Sequence, residues 1–105
     1  MKESEIEKYL TRQTAKLGGL AVKHTSPGRA GDPDRLVSLP CCKCPTCGKS
    51  ASVALVELKA PTQIPRPLQV ERMAQWAGTG LPVAWVSSVS GVDSLLAALV
   101  GRRVE

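Results

Sequence analysis

A chain of 105 residues, 43% of them hydrophobic, has room for a single core, so the expectation is one domain spanning 1–105. Its excess of five positive charges and pI near 9.3 suit a phosphate-bearing polyanion as partner. Three aromatic residues, Tyr9, Trp76 and Trp85, are too few for a platform that stacks unpaired bases.

The charged stretch from Met1 to Lys8 lacks the apolar core of a signal peptide. No run approaches the ~20 apolar residues of a membrane span. A cytoplasmic protein with no membrane partner is therefore expected.

Glu3 to Leu17 predicts an amphipathic helix, with Ile6, Leu10, Gln13 or Thr14, and Leu17 at helical spacing and Gly18-Gly19 as the stop. Leu20 to Thr25 alternates as a short strand, and Ser26 to Gly31 has the composition of a turn. Asp34 to Leu39 reads as a second strand. Pro40 to Ser50 is a cysteine-rich connection, an insertion at about 40–50.

Val53 to Lys59 is a third strand, whose apolar, β-branched run ends in Glu57-Leu58-Lys59 before Pro61 stops the ladder. Prolines 61, 65 and 67 form a stiff crossover, and Pro67 suits the first turn of a helix because its missing N–H costs nothing there. That helix covers Leu68 to Ala77 and ends at Gly78 or Gly80. Leu81 to Ser88 is a fourth strand, Asp93 to Leu99 a closing helix, and Arg102-Arg103 a short tail. The order αβββαβα predicts an α/β (α+β) domain, a mixed sheet flanked by helices.

Two stretches carry chemistry. Gly31-Asp32-Pro33-Asp34 and Glu57-Leu58-Lys59 offer carboxylates and an amine at the ends of neighbouring strands. Glu57 and Lys59, two apart, share a face of their strand. Such charges at the end of an apolar strand are costly to bury unless paired, solvated or functional.

Hydrolysis of a phosphodiester needs an activated water, relief of charge on the phosphate and help for the leaving oxygen. Mg²⁺ or Mn²⁺ can serve all three needs, and Mg²⁺ binds through a few carboxylates plus waters and substrate. Asp34 and Glu57 would be its ligands, the Leu58 carbonyl a further oxygen, and Lys59 the group that orients or deprotonates water. The bland alternatives are a turn-forming Asp, a solvated Glu–Lys pair, and glutamates that complement a helix dipole.

The ordered set Gly31-x-Pro33-Asp34, Glu57-x-Lys59 and Gln69 resembles the PD-(D/E)XK nuclease superfamily, and within it the short standalone VRR-NUC branch of phages and bacteria. The resemblance extends over Glu7-Lys8-Tyr9-Leu10, Gly18-Gly19, Ser26-Pro27-Gly28 and Pro67-Leu68-Gln69, nearly the whole chain. It implies a restriction-endonuclease-like αβββαβ core in which Asp34 and Glu57 bind metal and Lys59 assists the nucleophile. Gln69 would stand beside the site and hold Lys59 or the water. A first-helix glutamate would complete it: Glu7, eleven residues before Gly18 as in the related archaeal junction resolvases, with Glu3 in reserve.

The chain departs from the family at Asp32, a position often apolar there. The expectation is a carboxylate that faces solvent or crowds the metals without ligating them, so that Asp32→Val is silent.

Cys41, Cys42, Cys44 and Cys47 fall within seven residues. Their two-residue spacings suit zinc, although no second, distant pair is present to close a tetrahedral site. Structural zinc is the favoured reading; redox or incidental thiols and an iron–sulfur centre are the alternatives. His24 reads as a polar or DNA-facing strand residue. Lys23, Arg29, Arg35, Lys43, Lys49, Arg66 and Arg72 border the presumed site and are candidate phosphate contacts. Met73, Trp76 and Trp85 read as core or subunit contact.

The function expected is metal-dependent endonucleolytic cleavage of DNA, by a homodimer acting on branched substrates such as four-way junctions, as the resemblance implies. Two competitors stand beside it: a non-catalytic, zinc-stabilised DNA-binding module, and a nuclease of relaxed specificity.

Overall fold

Among the described residues seven elements follow in the predicted order: α1 (Glu3–Lys16), β1 (Leu20–Lys23), β2 (Arg35–Leu39), β3 (Ser52–Leu58), α2 (Pro67–Ala77), β4 (Val83–Val86) and α3 (Val89–Arg102). The computed structural model describes residues 1–40 and 51–102, with side chains to residue 100. The four cysteines, Lys43 and Lys49 lie outside the described residues, and with them the zinc reading.

The strands stand side by side in chain order. β1 to β3 pair antiparallel, and β4 returns parallel to β3 after the α2 crossover. This is the mixed sheet expected from the element order, since a parallel return needs a long connection.

One face of the sheet is the core. Along β2, Arg35, Val37 and Leu39 are buried while Leu36 and Ser38 are half-buried, the alternation of a strand with one covered side. Val37, Leu39, Ala54, Val56 and Leu58 meet Ile6 and Leu10 of α1 and Val92, Leu96 and Leu99 of α3. Truncating one of these fully buried aliphatics to Ala costs about 2–5 kcal/mol.

β3 lies between two neighbours and is buried over most of its length on both faces. Its core face carries Ala54, Val56 and Leu58. Its other face carries Leu55 and Glu57, on the side where Gln69 of α2 reaches Glu57. The apolar run before Glu57 thus anchors a charged residue at the end of the sheet's best-packed strand.

The termini of several elements differ from the expectation for local reasons. α1 ends where Gly18 takes φ +81° and its N–H, with that of Gly19, caps the last carbonyls at Ala15 and Thr14. α3 begins four residues earlier than Asp93, because the Ser88 hydroxyl accepts the Gly91 N–H at 3.0 Å and its carbonyl accepts the Val92 N–H at 3.1 Å. That cap shortens β4, and Arg102 belongs to the helix rather than to a tail. Trp85 is not core: β4 is an edge strand, and the residue is 44% exposed.

Candidate active site

Glu57 is the most informative side chain in the fold. It is 5% exposed, at the carboxyl end of β3, and two groups meet its Oε2. The Gln69 amide donates to it at 3.1 Å, and the Lys59 ammonium stands 3.5 Å away.

Gln69 is itself held, because its Oε1 accepts the Arg66 N–H at 2.8 Å and so closes the first turn of α2. Lys59 continues the line of β3, its N–H bonded to the Val86 carbonyl at 3.0 Å. Leu58 between them sends its side chain into the core.

Burial pushes the Glu57 carboxyl above its ordinary value of 4.5, and the charges of Asp34 and Glu3 push it further. The Lys59 charge and hydrogen bond pull the other way without cancelling the rise. Asp34 precedes β2, and its carbonyl accepts the His24 N–H at 2.7 Å. One step on from the Arg35–Val56 pair, the antiparallel register sets Asp34 opposite Glu57. The ends of two neighbouring strands therefore bring Asp34, Glu57 and Lys59 to one place, and the first turn of α2 adds Gln69.

The first-helix glutamates divide. Glu7 pairs with the Nη2 of Arg35, the guanidinium that also holds the Asp34 carboxylate. Glu3, one helical turn earlier, is the α1 charge that Glu57 registers. Glu7 thus borders the site through Arg35, and Glu3 through its charge on Glu57.

Arg35 is corrected as a phosphate contact, since its side chain is 8% exposed. It spans Glu7 and the Asp34 carboxylate, the latter at 3.1 Å. Its Nε has no partner among the described residues.

Asp32 is corrected too. Its side chain is 5% exposed and neither faces solvent nor stands free. Both oxygens accept Arg29 Nε at 2.9 Å, and Oδ1 accepts the Trp76 indole N–H at 3.1 Å. Burial alone would raise this carboxyl. Hydrogen bonds from Arg29, Trp76 and Ser26 and the Arg29 charge outweigh it and hold the group below its ordinary 3.8.

Arg29 and Arg72 are likewise engaged within the protein: Arg29 Nη2 donates to Gln75, and Arg72 donates to Gln75 and to the Ala30 carbonyl. Nothing in sequence spacing could join residues 32 and 76. Lys23 and His24 remain exposed, His24 with its ring 3.4 Å from the Ser26 hydroxyl.

Among the described residues, no three His, Cys, Asp or Glu side chains gather closely enough to hold a metal ion by themselves. The site is of the sparser kind. Asp34 and Glu57 stand opposite each other and Glu3 adds its charge from α1; Lys59 offsets Glu57, while Arg35 is shared between Asp34 and Glu7. Such a set is short of positive charge, and a hard divalent cation that keeps most of its waters fits it. No helix among the described residues is long and apolar enough to cross a membrane.

No family model matches the chain. It is 37% identical over 99 residues to a protein named "Putative nuclease p44" from Acyrthosiphon pisum secondary endosymbiont phage 1, covering 94% of this chain and 96% of that one. A solved structure described as a VRR_NUC domain superposes with a TM-score of 0.76 at 29% identity, over 92% of this chain and 97% of that chain.

Proposed function

Because the chain belongs to the VRR-NUC family of nucleases, we propose that it is a metal-dependent endodeoxyribonuclease working at Asp34, Glu57, Lys59 and Gln69. The observation that carries this reading is Glu57: a carboxylate buried at a strand end among other acids, offset by a single ammonium. A structural carboxylate would have been given donors enough to satisfy it. This one is left wanting charge.

Asp34, Glu57 and the Leu58 carbonyl would hold Mg²⁺ or Mn²⁺. When bound, such an ion lowers the pKa of a water and neutralises the scissile phosphate. The chain's own residues do the rest. Lys59, 3.5 Å from Glu57 Oε2, has its ammonium beside the carboxylate and can orient the attacking water or steady charge growing on phosphorus. Gln69 fixes the Glu57 carboxylate from behind through one oxygen, which leaves Oε1 free of any bond among the described residues. Glu3 adds negative charge that favours cation binding.

The substrate proposed is branched duplex DNA, four-way junctions among it. It would be cut by a homodimer, whose two-fold axis sets two sites on opposing strands. Purified protein incubated with junction, flap, duplex and single-stranded oligonucleotides, with Mg²⁺, Mn²⁺ or EDTA, tests each part. Preferential junction cutting that EDTA abolishes is expected, from a species whose mass in solution is that of two chains. Equal cutting of linear duplex would mean relaxed specificity. Binding without cutting under every condition would leave a DNA-binding module.

The Cys41, Cys42, Cys44 and Cys47 run is proposed separately as a structural zinc site. Elemental analysis of protein purified in metal-free buffer should find about one zinc per chain, or per dimer-completed site.

A further inference from the structure

The segment that delivers Asp34 is bolted to α2 at several points, and most of the bolts converge on Asp32. The Arg29 guanidinium bridges the Asp32 carboxylate and the Gln75 amide. The Trp76 indole donates to the same carboxylate from the far end of α2. Between them Gly31 lies so close to the helix that a Cβ there would stand 2.8 Å from Leu68 Cγ and 3.2 Å from Arg72 Cγ, at a φ of +88° that disfavours any other residue. Arg72 closes the contact by donating to the Ala30 carbonyl at 3.1 Å.

The same helix holds Glu57 through Gln69 at its other end. α2 is therefore a common brace for both metal-binding carboxylates, gripping Glu57 directly and Asp34 through the 29–34 segment.

We propose that Asp32 is a positioning residue: its bonds to Arg29 and Trp76 clamp the 29–34 segment to α2 and so fix Asp34 opposite Glu57. The consequence for metal binding rests on the nuclease reading above; the consequence for the segment's mobility does not. Donors aimed at a buried carboxylate form the strongest class of hydrogen bond in a protein. A loop held by them keeps its place without a core of its own, and residues that orient a ligand commonly change metal affinity when lost.

The test uses the full chain with Asp32→Val, Asp32→Asn and Trp76→Phe, the last removing only the indole N–H. Leu95→Ala in α3, where Leu95 packs on the core away from the clamp, serves as a control for general destabilisation. The first readout needs no metal. The His24 amide, bonded to the Asp34 carbonyl, should exchange its hydrogen about tenfold faster in Asp32→Val and Trp76→Phe, with α1 amides changed no more than in the control.

The second readout is the Mn²⁺ concentration that gives half-maximal thermal stabilisation. It should rise about tenfold in Asp32→Val and less in Asp32→Asn, which keeps an acceptor for Trp76. In Leu95→Ala it should stay put while the melting temperature falls.

If the His24 amide in the clamp variants exchanges no faster than in Leu95→Ala, Asp32 positions nothing and the proposal is overturned. If the amide does respond but Mn²⁺ stabilises not even the wild type, the clamp stands and the metal-dependent reading fails instead.

Discussion

Asp32 and Glu57 are both carboxylates with nearly inaccessible side chains, both are tied to α2, and the protein treats them in opposite ways. Asp32 is well supplied: the Arg29 guanidinium and the Trp76 indole donate to it, and its pKa sits below the ordinary value. Glu57 receives one amide and one ammonium, stands among other acids, and has its pKa raised. A buried acid held by donors contributes to folding; a buried acid short of them is a cost to folding that only a further cation or proton can relieve. The first is architecture and the second, on the proposed reading, is left poised for a cation, although by sequence Asp32 stands nearer Asp34.

Removing the under-compensated group should give the largest effect. Glu57→Gln and Asp34→Asn, which remove metal-holding carboxylates, and Lys59→Ala, which removes the group beside the water, are each expected to lower Mn²⁺-dependent cleavage by about 10²-fold or more. Yet metal-free Glu57→Gln should melt no lower than the wild type at neutral pH, because the substitution removes an unfavourable buried charge and keeps an acceptor for Gln69. Single-turnover cleavage and a metal-free melting curve check the two halves. Wild-type cleavage in any of the three variants would remove that residue from the mechanism. A large drop in the melting temperature of Glu57→Gln would break the contrast with Asp32.

The α1 glutamates sharpen the comparison at a smaller scale. Glu7 shares Arg35 with Asp34, so Glu7→Gln takes one of two anionic partners from a buried guanidinium. Glu7 is itself 39% exposed, and solvent screens the pair, so about 1–2 kcal/mol of stability is the expected loss. Its Mn²⁺ requirement should move little. Glu3→Gln should do the reverse, leaving stability near wild type and raising the half-saturating Mn²⁺ by about tenfold. Urea unfolding alongside a metal titration of each variant separates them, and the opposite pattern would make Glu7 the first-helix member of the site.

These two glutamates also mark where the sequence stops being legible. Periodicity and breakers were enough for the element order, because each element's apolar face is written within its own residues. The Asp34, Glu57, Lys59 and Gln69 set was legible as an ordered motif on elements of the right type. Glu3 and Glu7, one turn apart on one helix, look alike in sequence; only the reach of Arg35 across from β2 tells them apart. Asp32 was misread for the same reason, since its partner Trp76 is 44 residues away and an Asp before Pro signals only a turn. The early start of α3 did have a signal, Ser88 three residues before Gly91, which the β-like run ahead of it concealed.

The pH dependence of metal-free stability is the finest test, because the two carboxylates must pull in opposite directions. Glu57 has a folded pKa above 4.5, so the native state binds its proton more tightly than the unfolded chain does. Its penalty is absent below 4.5, grows as pH rises through the raised folded value, and is complete above it. Asp32 has a folded pKa below 3.8. Its contribution is complete above 3.8 and is lost as pH falls through the lowered value. Urea denaturation across the acid range should therefore show Glu57→Gln losing the decline on the rising side, and Asp32→Asn losing the decline on the falling side, each leaving the other limb in place. Should one substitution flatten both limbs, the carboxylates titrate as a single coupled group and the division between a bonded acid and a poised one does not hold.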